Sequence, residues 1–96
     1  MRVKIVESPD TKKKYRAEFI ENNKVIKTVR FGQQGASDFT KHRDESRKQR
    51  YLDRHRKREN WNDPMTAGAL SRWILWNKPT ITESIADFKR RFKLEK

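Results

Sequence analysis

The chain has 96 residues, enough for one domain with a single modest core. It carries 25 Lys and Arg against 13 Asp and Glu, a net charge of +12, so we expect a polyanionic partner such as nucleic acid, an anionic membrane or an acidic protein surface. Cysteine is absent, which excludes disulfides and thiolate metal sites. No apolar run approaches the roughly 18 residues that span a bilayer, and "MRVKIVESPD" lacks the apolar segment of a secretory signal. We therefore expect a soluble intracellular protein with no membrane partner.

Strand patterns occupy about residues 2–32. "RVKIVE", "KYRAEFIE" and "KVIKTVRF" alternate apolar and polar side chains, which predicts a three-stranded antiparallel meander. Asn22 and Asn23 can enter the left-handed region that a two-residue hairpin turn requires. The segment "GQQGASD", residues 32–38, is predicted to be a strand-to-helix connection, because two spaced glycines are only a weak signal for a phosphate-binding turn. The side chains available to cap the next helix are Ser37, Asp38 and Thr40.

The segment that follows, about residues 40–58, has the pattern of an unusual amphipathic helix. Basic side chains spaced four, three, four and three positions apart form one stripe at about 100° per residue. Tyr51, Leu52 and His55 are expected roughly opposite, as a narrow apolar anchor. A solvated face would mix charge signs for pairing between turns, so a stripe of one sign favours a binding function. This basic ridge consists of Arg43, Arg47, Arg50, Arg54 and Lys57.

Two further helices are predicted, at about residues 66–77 and 81–93. Thr66 can cap the first of them, which contains the most apolar stretch of the chain, "AGALSRWILW". Thr80 and Glu83 form a capping box at the start of the second.

These elements predict an α+β fold in one small basic domain, residues 1–96: a short N-terminal meander packed against about three helices. Gly68 and Ala69 are small enough to let another element approach closely. The expected core consists of Leu52, Leu70, Trp73, Ile74, Ile85, Phe88 and Phe92, with Tyr15, Phe19 and Phe31 from the sheet.

Residues 31–78 resemble a family of small uncharacterised proteins of giant nucleocytoplasmic DNA viruses. The resemblance is carried by the Phe31-Gly32 pair, "DFTKHRD", "RYLDRH", the Glu59–Trp61 segment and "AGALSRWILWNK". It implies a protein of a large DNA virus, located in the virion and in the cytoplasm or nucleus of the infected cell, that is packaged with viral DNA or acts on it. It implies no particular chemistry.

Four polar residues, His42, Asp44, His55 and Glu59, raise the question of a metal or nuclease site. His42 and His55 lie about 140° apart on one helix, and no paired histidine motif or second carboxylate cluster accompanies them. We therefore expect no enzyme activity, no catalytic residue, no metal and no cofactor, with His55 hydrogen-bonded at the core edge and Asp44 paired with an arginine or capping backbone.

Three tryptophans could stack on bases, as they do in single-strand binders. Trp73 and Trp76 belong to the most apolar helix and are expected in the core. Trp61 follows the basic ridge in a polar loop and is the better candidate for stacking.

The sequence therefore predicts a nucleic-acid-binding protein that contacts phosphates through the basic helix with little sequence preference, and duplex DNA is the favoured ligand. The alternative is a virion structural or adaptor protein that binds an acidic protein and uses "SRWILW" as a partner interface. A helix-turn-helix reader and homodimerisation are weaker expectations. The predicted nucleic-acid-binding residues are Arg43, Arg47, Arg50, Arg54, Lys57, Arg58 and Trp61.

Overall fold

A computed structural model describes residues 1–9 and 11–95 and confirms the α+β class, with an N-terminal meander followed by helices. The strands are β1 (Arg2–Glu7), β2 (Lys13–Glu21) and β3 (Lys24–Gln33). They form one antiparallel sheet in the order β1-β2-β3, as the alternation of apolar side chains predicts.

The β2–β3 turn has the predicted chemistry. Asn22 and Asn23 have φ angles of 52° and 63°, in the left-handed region where asparagine is tolerated best among non-glycine residues. The register shifts between Phe19 and Ile20, a bulge that increases local twist. Beyond it, the first half of β3 is exposed on both faces.

The predicted continuous helix over residues 40–58 is wrong. The structure has a short helix α1 (Phe39–His42) and a separate helix α2 (Glu45–His55). Arg43 lies between them with φ 54°, a left-handed conformation that no α-helix continues through. The chain restarts at Asp44, whose carboxylate accepts from the backbone N–H groups of Ser46 and Arg47 and so caps α2.

The C-terminal half contains α3 (Ala67–Leu70), which continues into a π-helical turn (Ser71–Leu75), and α4 (Ile81–Arg91). Thr66 caps α3 as predicted, through a hydrogen bond from the Ala69 N–H to its hydroxyl. The predicted capping box at the start of α4 is also present: Thr80 Oγ1 accepts from the Glu83 N–H and donates to the Glu83 carboxylate.

The core lies between the sheet and the C-terminal helices. Six of the predicted core residues are buried: Phe19, Phe31, Leu52, Leu70, Ile74 and Phe88. Four others, Tyr15, Trp73, Ile85 and Phe92, are only partly buried and pack against its edge. Trp73 in particular is not central, and the guanidinium groups of Arg72 and Arg91 lie over its ring, 4.2 and 3.8 Å from the ring centre. Trp76 is likewise partly buried rather than central.

No helix in residues 1–9 and 11–95 is long and apolar enough to cross a bilayer. The two large apolar side chains that stand most exposed in this part of the chain are Val25 and Ile26, on the outer half of β3.

Candidate nucleic-acid interface

A groove with a volume of about 530 Å³ opens where α2 passes the end of the sheet; we refer to it as the basic groove. Helix α2 contributes basic and aromatic side chains. The ends of β2 and β3 and the loop after β3 contribute a second side, and α3 with the π-helical turn contributes small residues. Its lining residues are Lys13, Lys14, Phe31, Gly32, Gln33, Ala36, Ser37, Asp38, Arg47, Arg50, Tyr51, Arg54, His55, Glu59, Ala67, Gly68, Ser71, Leu75 and Trp76.

Three members of the predicted basic ridge meet in this groove: Arg47, Arg50 and Arg54. Their spacing of three and four residues keeps them on one side of α2. In the described part of the chain, none of the three guanidinium groups forms an ion pair with a carboxylate. The hydrogen bond from Arg50 Nη1 to the Ser46 hydroxyl, at 3.5 Å, is long. These guanidinium groups therefore keep their hydrogen-bond donors available for an anion.

The other predicted site residues lie outside the basic groove. Arg43 sits at the break before α2, and its Nε donates to the Pro79 carbonyl at 3.2 Å. Lys57 and Arg58 are exposed in the turn that follows α2. A role for these three in phosphate binding stays a prediction.

Trp61 is half-buried and does not line the basic groove. Its Nε1 donates to Glu59 Oε1 at 3.0 Å, and its ring faces the Arg72 guanidinium at 5.4 Å. Its backbone carbonyl accepts from Trp73 Nε1 at 2.8 Å. These contacts give Trp61 a structural role in joining the post-α2 loop to the π-helical turn, and base stacking by Trp61 stays a prediction.

The loop beside the groove is fixed by a buried ion pair. Lys14 Nζ donates to Asp38 Oδ2 at 2.7 Å and also to the Ala36 carbonyl, and both charged side chains are almost fully buried. Asp38 in turn accepts from the Thr40 N–H and hydroxyl and so caps α1. A buried charge that is paired and hydrogen-bonded avoids the cost of an isolated one, so this network can hold the loop against β2 and the start of α1.

A column of stacked aromatic rings forms part of the groove wall. Tyr51 lies between Trp76 and His55, with ring centres 4.3 and 4.2 Å away and interplanar angles of 4° and 25°. His42 packs on the far side of Trp76 at 5.3 Å. Burial, followed by the nearby Glu59 carboxylate, raises the pKa of the Tyr51 phenol, which therefore stays protonated at neutral pH.

The expectation that Tyr51 and His55 lie opposite the basic ridge is wrong. Both line the same groove as the arginines. Tyr51 follows Arg47 by four positions, so their directions from the helix axis differ by only about 40°. Leu52 is buried, as expected of an apolar anchor.

Glu59 contacts His55, the ring at the end of the column. Its carboxylate lies 3.2 Å from His55 Nδ1 and accepts from Trp61 Nε1, so His55 is hydrogen-bonded at the core edge as predicted. A Cβ placed on Gly68 would come within 2.9 Å of the Glu59 carboxyl carbon. The prediction that Gly68 permits a close approach is confirmed, and the approaching group is the Glu59 side chain.

Three further residues line the same groove from separate segments and were not predicted as part of the site: Lys13, Ser37 and Ser71. No local pattern marks them, because only the folded chain brings them near α2. In residues 1–9 and 11–95 no group of three or more His, Asp or Glu side chains is close enough to hold a metal ion.

Taken together, the fold and the site define a small basic α+β domain in which three arginines, without a carboxylate partner in the described part of the chain, converge in one groove. A comparison with protein-family models matches residues 3–55 to DUF5754, a family of unknown function. The match covers more than half of the chain, so the chain belongs to this family. No match was found among curated proteins or among solved structures. The matched segment contains the whole of α2 and nearly all of the sheet, but not the small residues of α3.

Proposed function

We propose that this protein binds nucleic acid with little sequence preference, using Arg47, Arg50 and Arg54 to neutralise DNA phosphates. One observation carries the proposal: three guanidinium groups share a groove and are free of carboxylate partners in the described chain. Elsewhere in the same part of the chain, Lys14, Arg90 and Arg91 do pair with aspartates. Unpaired arginines that repel one another cost stability, which is tolerable where an anion binds.

We expect little sequence preference because phosphate contacts fix position without reading bases. Arginine can also read guanine in the major groove, so the comparison of unrelated sequences tests this expectation directly. The resemblance of residues 31–78 to proteins of giant DNA viruses favours viral DNA, in the virion or the infected cell, as the natural target.

The adaptor alternative has less support from the structure. The "SRWILW" segment was expected to be free for a partner, but Ile74 and Leu75 are buried in the chain's own core, and Trp73 and Trp76 are partly buried. The helix-turn-helix alternative is also weaker, because residues 56–66 separate α2 from α3 in place of a tight turn.

The test is binding of the purified protein to duplex DNA, single-stranded DNA and RNA of random sequence across a salt gradient. Three phosphate contacts predict a slope of log K against log salt of about −3 for a duplex and about −2 for a single strand. Affinities should differ little between unrelated sequences. Binding no tighter than that of an unrelated protein of equal charge would contradict the proposal, and the acidic-protein adaptor would then lead.

A further inference from the structure

We infer that the basic groove holds an unpaired nucleotide strand, with one base stacked on the outer face of His55 and the flanking phosphates on the arginines. This inference rests on the proposed function and names the form of nucleic acid that the site takes. It departs from the sequence-based expectation of duplex DNA.

The size of the groove supports a strand over a duplex. A volume of about 530 Å³ falls within the about 300–1,000 Å³ typical of small-molecule sites. A site of this size admits a nucleotide or two, whereas a duplex is bound along an open surface or by a helix that enters its own groove. Arg47, Arg50 and Arg54 line this limited space, and Lys13 and Ser37 face it from the other side.

The aromatic column provides the stacking surface. Trp76 and His55 cover the two faces of Tyr51, so Tyr51 cannot take a base. His55 ends the column: one ring face rests on Tyr51, the side chain is 37% exposed, and the ring lines the groove. Because Glu59 holds Nδ1 at 3.2 Å, the ring orientation is fixed before a ligand arrives. A base placed on the open face would extend the column by one ring.

The arginines are positioned for the backbone of such a strand. Arg54 precedes His55 in sequence, and Arg50 and Arg47 continue along α2 away from it. Arg47 and Arg54 are seven residues apart, about 10 Å at 1.5 Å per residue, and their side chains reach further. Adjacent phosphates of a strand that runs along α2 can therefore each meet a guanidinium group while one base turns towards His55.

The experiment compares affinities for oligothymidylate, a duplex of the same length and thymidine monophosphate, in the wild type, His55→Ala and His55→Phe. Stacking of one base contributes about a 5- to 150-fold gain in affinity, so His55→Ala should weaken oligothymidylate binding by that factor. His55→Phe keeps a ring on Tyr51 and should retain most of the affinity. Melting curves verify that each variant is folded, and ultraviolet cross-linking of bromodeoxyuridine strands to the wild type supplies a measurement that needs no variant.

The inference is supported if oligothymidylate binds more strongly than the duplex, if this preference is lost in His55→Ala and kept in His55→Phe, and if cross-links form at His55. The inference is overturned if strand and duplex bind equally and the His55 variants change neither affinity, or if cross-links form only in the exposed half of β3. Either result leaves the proposed function standing. Thymidine monophosphate binding as tightly as the strand also overturns it, in favour of a mononucleotide site. Absence of salt-sensitive binding to every nucleic acid overturns both proposals.

Discussion

The rings of Tyr51 and Trp76 lie parallel, with 4.3 Å between their centres and an angle of 4° between their planes. Tyr51 belongs to the middle of α2, and Trp76 follows the π-helical turn. Their stack therefore joins the arginine-bearing helix to the C-terminal half of the molecule. Lys48 adds to this junction by donating to the Asn77 carbonyl at 2.8 Å.

This relationship predicts that Tyr51→Ala and Trp76→Ala each lower the free energy of unfolding by about 3 kcal/mol, since each removes a large, mostly buried ring. The loss of stability in the double variant should be smaller than the sum of the two single losses by about 0.5–1.5 kcal/mol. The reason is that each single variant already removes the stacking interaction, which the sum counts twice. Urea denaturation of the four proteins measures this coupling. Strictly additive losses would show that the two rings are neighbours without a stacking contribution.

Gly32, near the end of β3, and Gly35, in the loop that follows, provide a matched pair beside the groove. Both have left-handed φ angles, +78° and +82°, but a Cβ at Gly32 would lie 2.8 Å from Leu75 Cδ1. A Cβ at Gly35 would meet no atom of residues 1–9 and 11–95 within 4 Å. Gly35→Ala should cost about 1 kcal/mol of stability through backbone strain alone. Gly32→Ala should lower the stability by about 1–3 kcal/mol more, because the added methyl group would overpack against the core. Equal melting temperatures for the two variants would contradict this account of Gly32.

The carboxylate of Asp87 should make the stability of the fold sensitive to acid. Burial alone would raise the pKa of Asp87, but hydrogen bonds from Asn77 and Arg90, with the positive charge of Arg91, hold this pKa below its usual value. A carboxylate whose pKa is lower in the folded than in the unfolded protein stabilises the fold. This stabilisation is complete above the pKa in the unfolded protein, about 4, and is lost as the pH falls through the pKa in the folded protein. Wild-type stability should therefore decline below about pH 4 more steeply than that of Asp87→Asn. Parallel curves from thermal melts over this range would contradict the assignment.

The parts of this fold that the sequence predicts are those set by neighbouring residues. The Asn22-Asn23 turn, the cap at Thr66 and the box at Thr80 each depend on side chains within three residues of the backbone that they serve. Such local chemistry is visible before the chain folds.

The break at Arg43 depends on distant contacts and could not be predicted. Arg43 adopts a left-handed conformation that costs roughly 1 kcal/mol, and it donates to Pro79, 36 residues away in sequence. Asp38 and Asp44 cap two separate helices where the periodicity of the charges indicated one. A charge pattern alone carries no sign of this break.

The candidate site likewise contains residues that could be predicted from the sequence and residues that could not. The α2 arginines were predictable because one helix presents them at regular spacing. Lys13 and Ser71 come from other elements, and only tertiary packing places them in the groove. His55 was expected opposite the arginines but lies in the same groove, and its stacking on Tyr51 depends on the position of Trp76.

The central claim is that the arginines of the basic groove bind phosphates. The most direct test is the salt dependence of DNA binding in Arg47→Ala/Arg50→Ala, compared with Lys24→Ala/Lys27→Ala. The control pair removes two exposed positive charges from the distant, outer half of β3, so both variants have the same net charge. Circular dichroism melts verify that both are folded.

We expect the arginine variant to flatten the slope of log K against log salt by about 1.4–1.8 and the lysine variant to leave it nearly unchanged, because each lost phosphate contact removes about 0.7–0.9 from the slope. The preference among DNA sequences should stay the same in both. Equal slopes in the two folded variants would contradict the claim, because they would show that the arginines of the basic groove contribute only general positive charge.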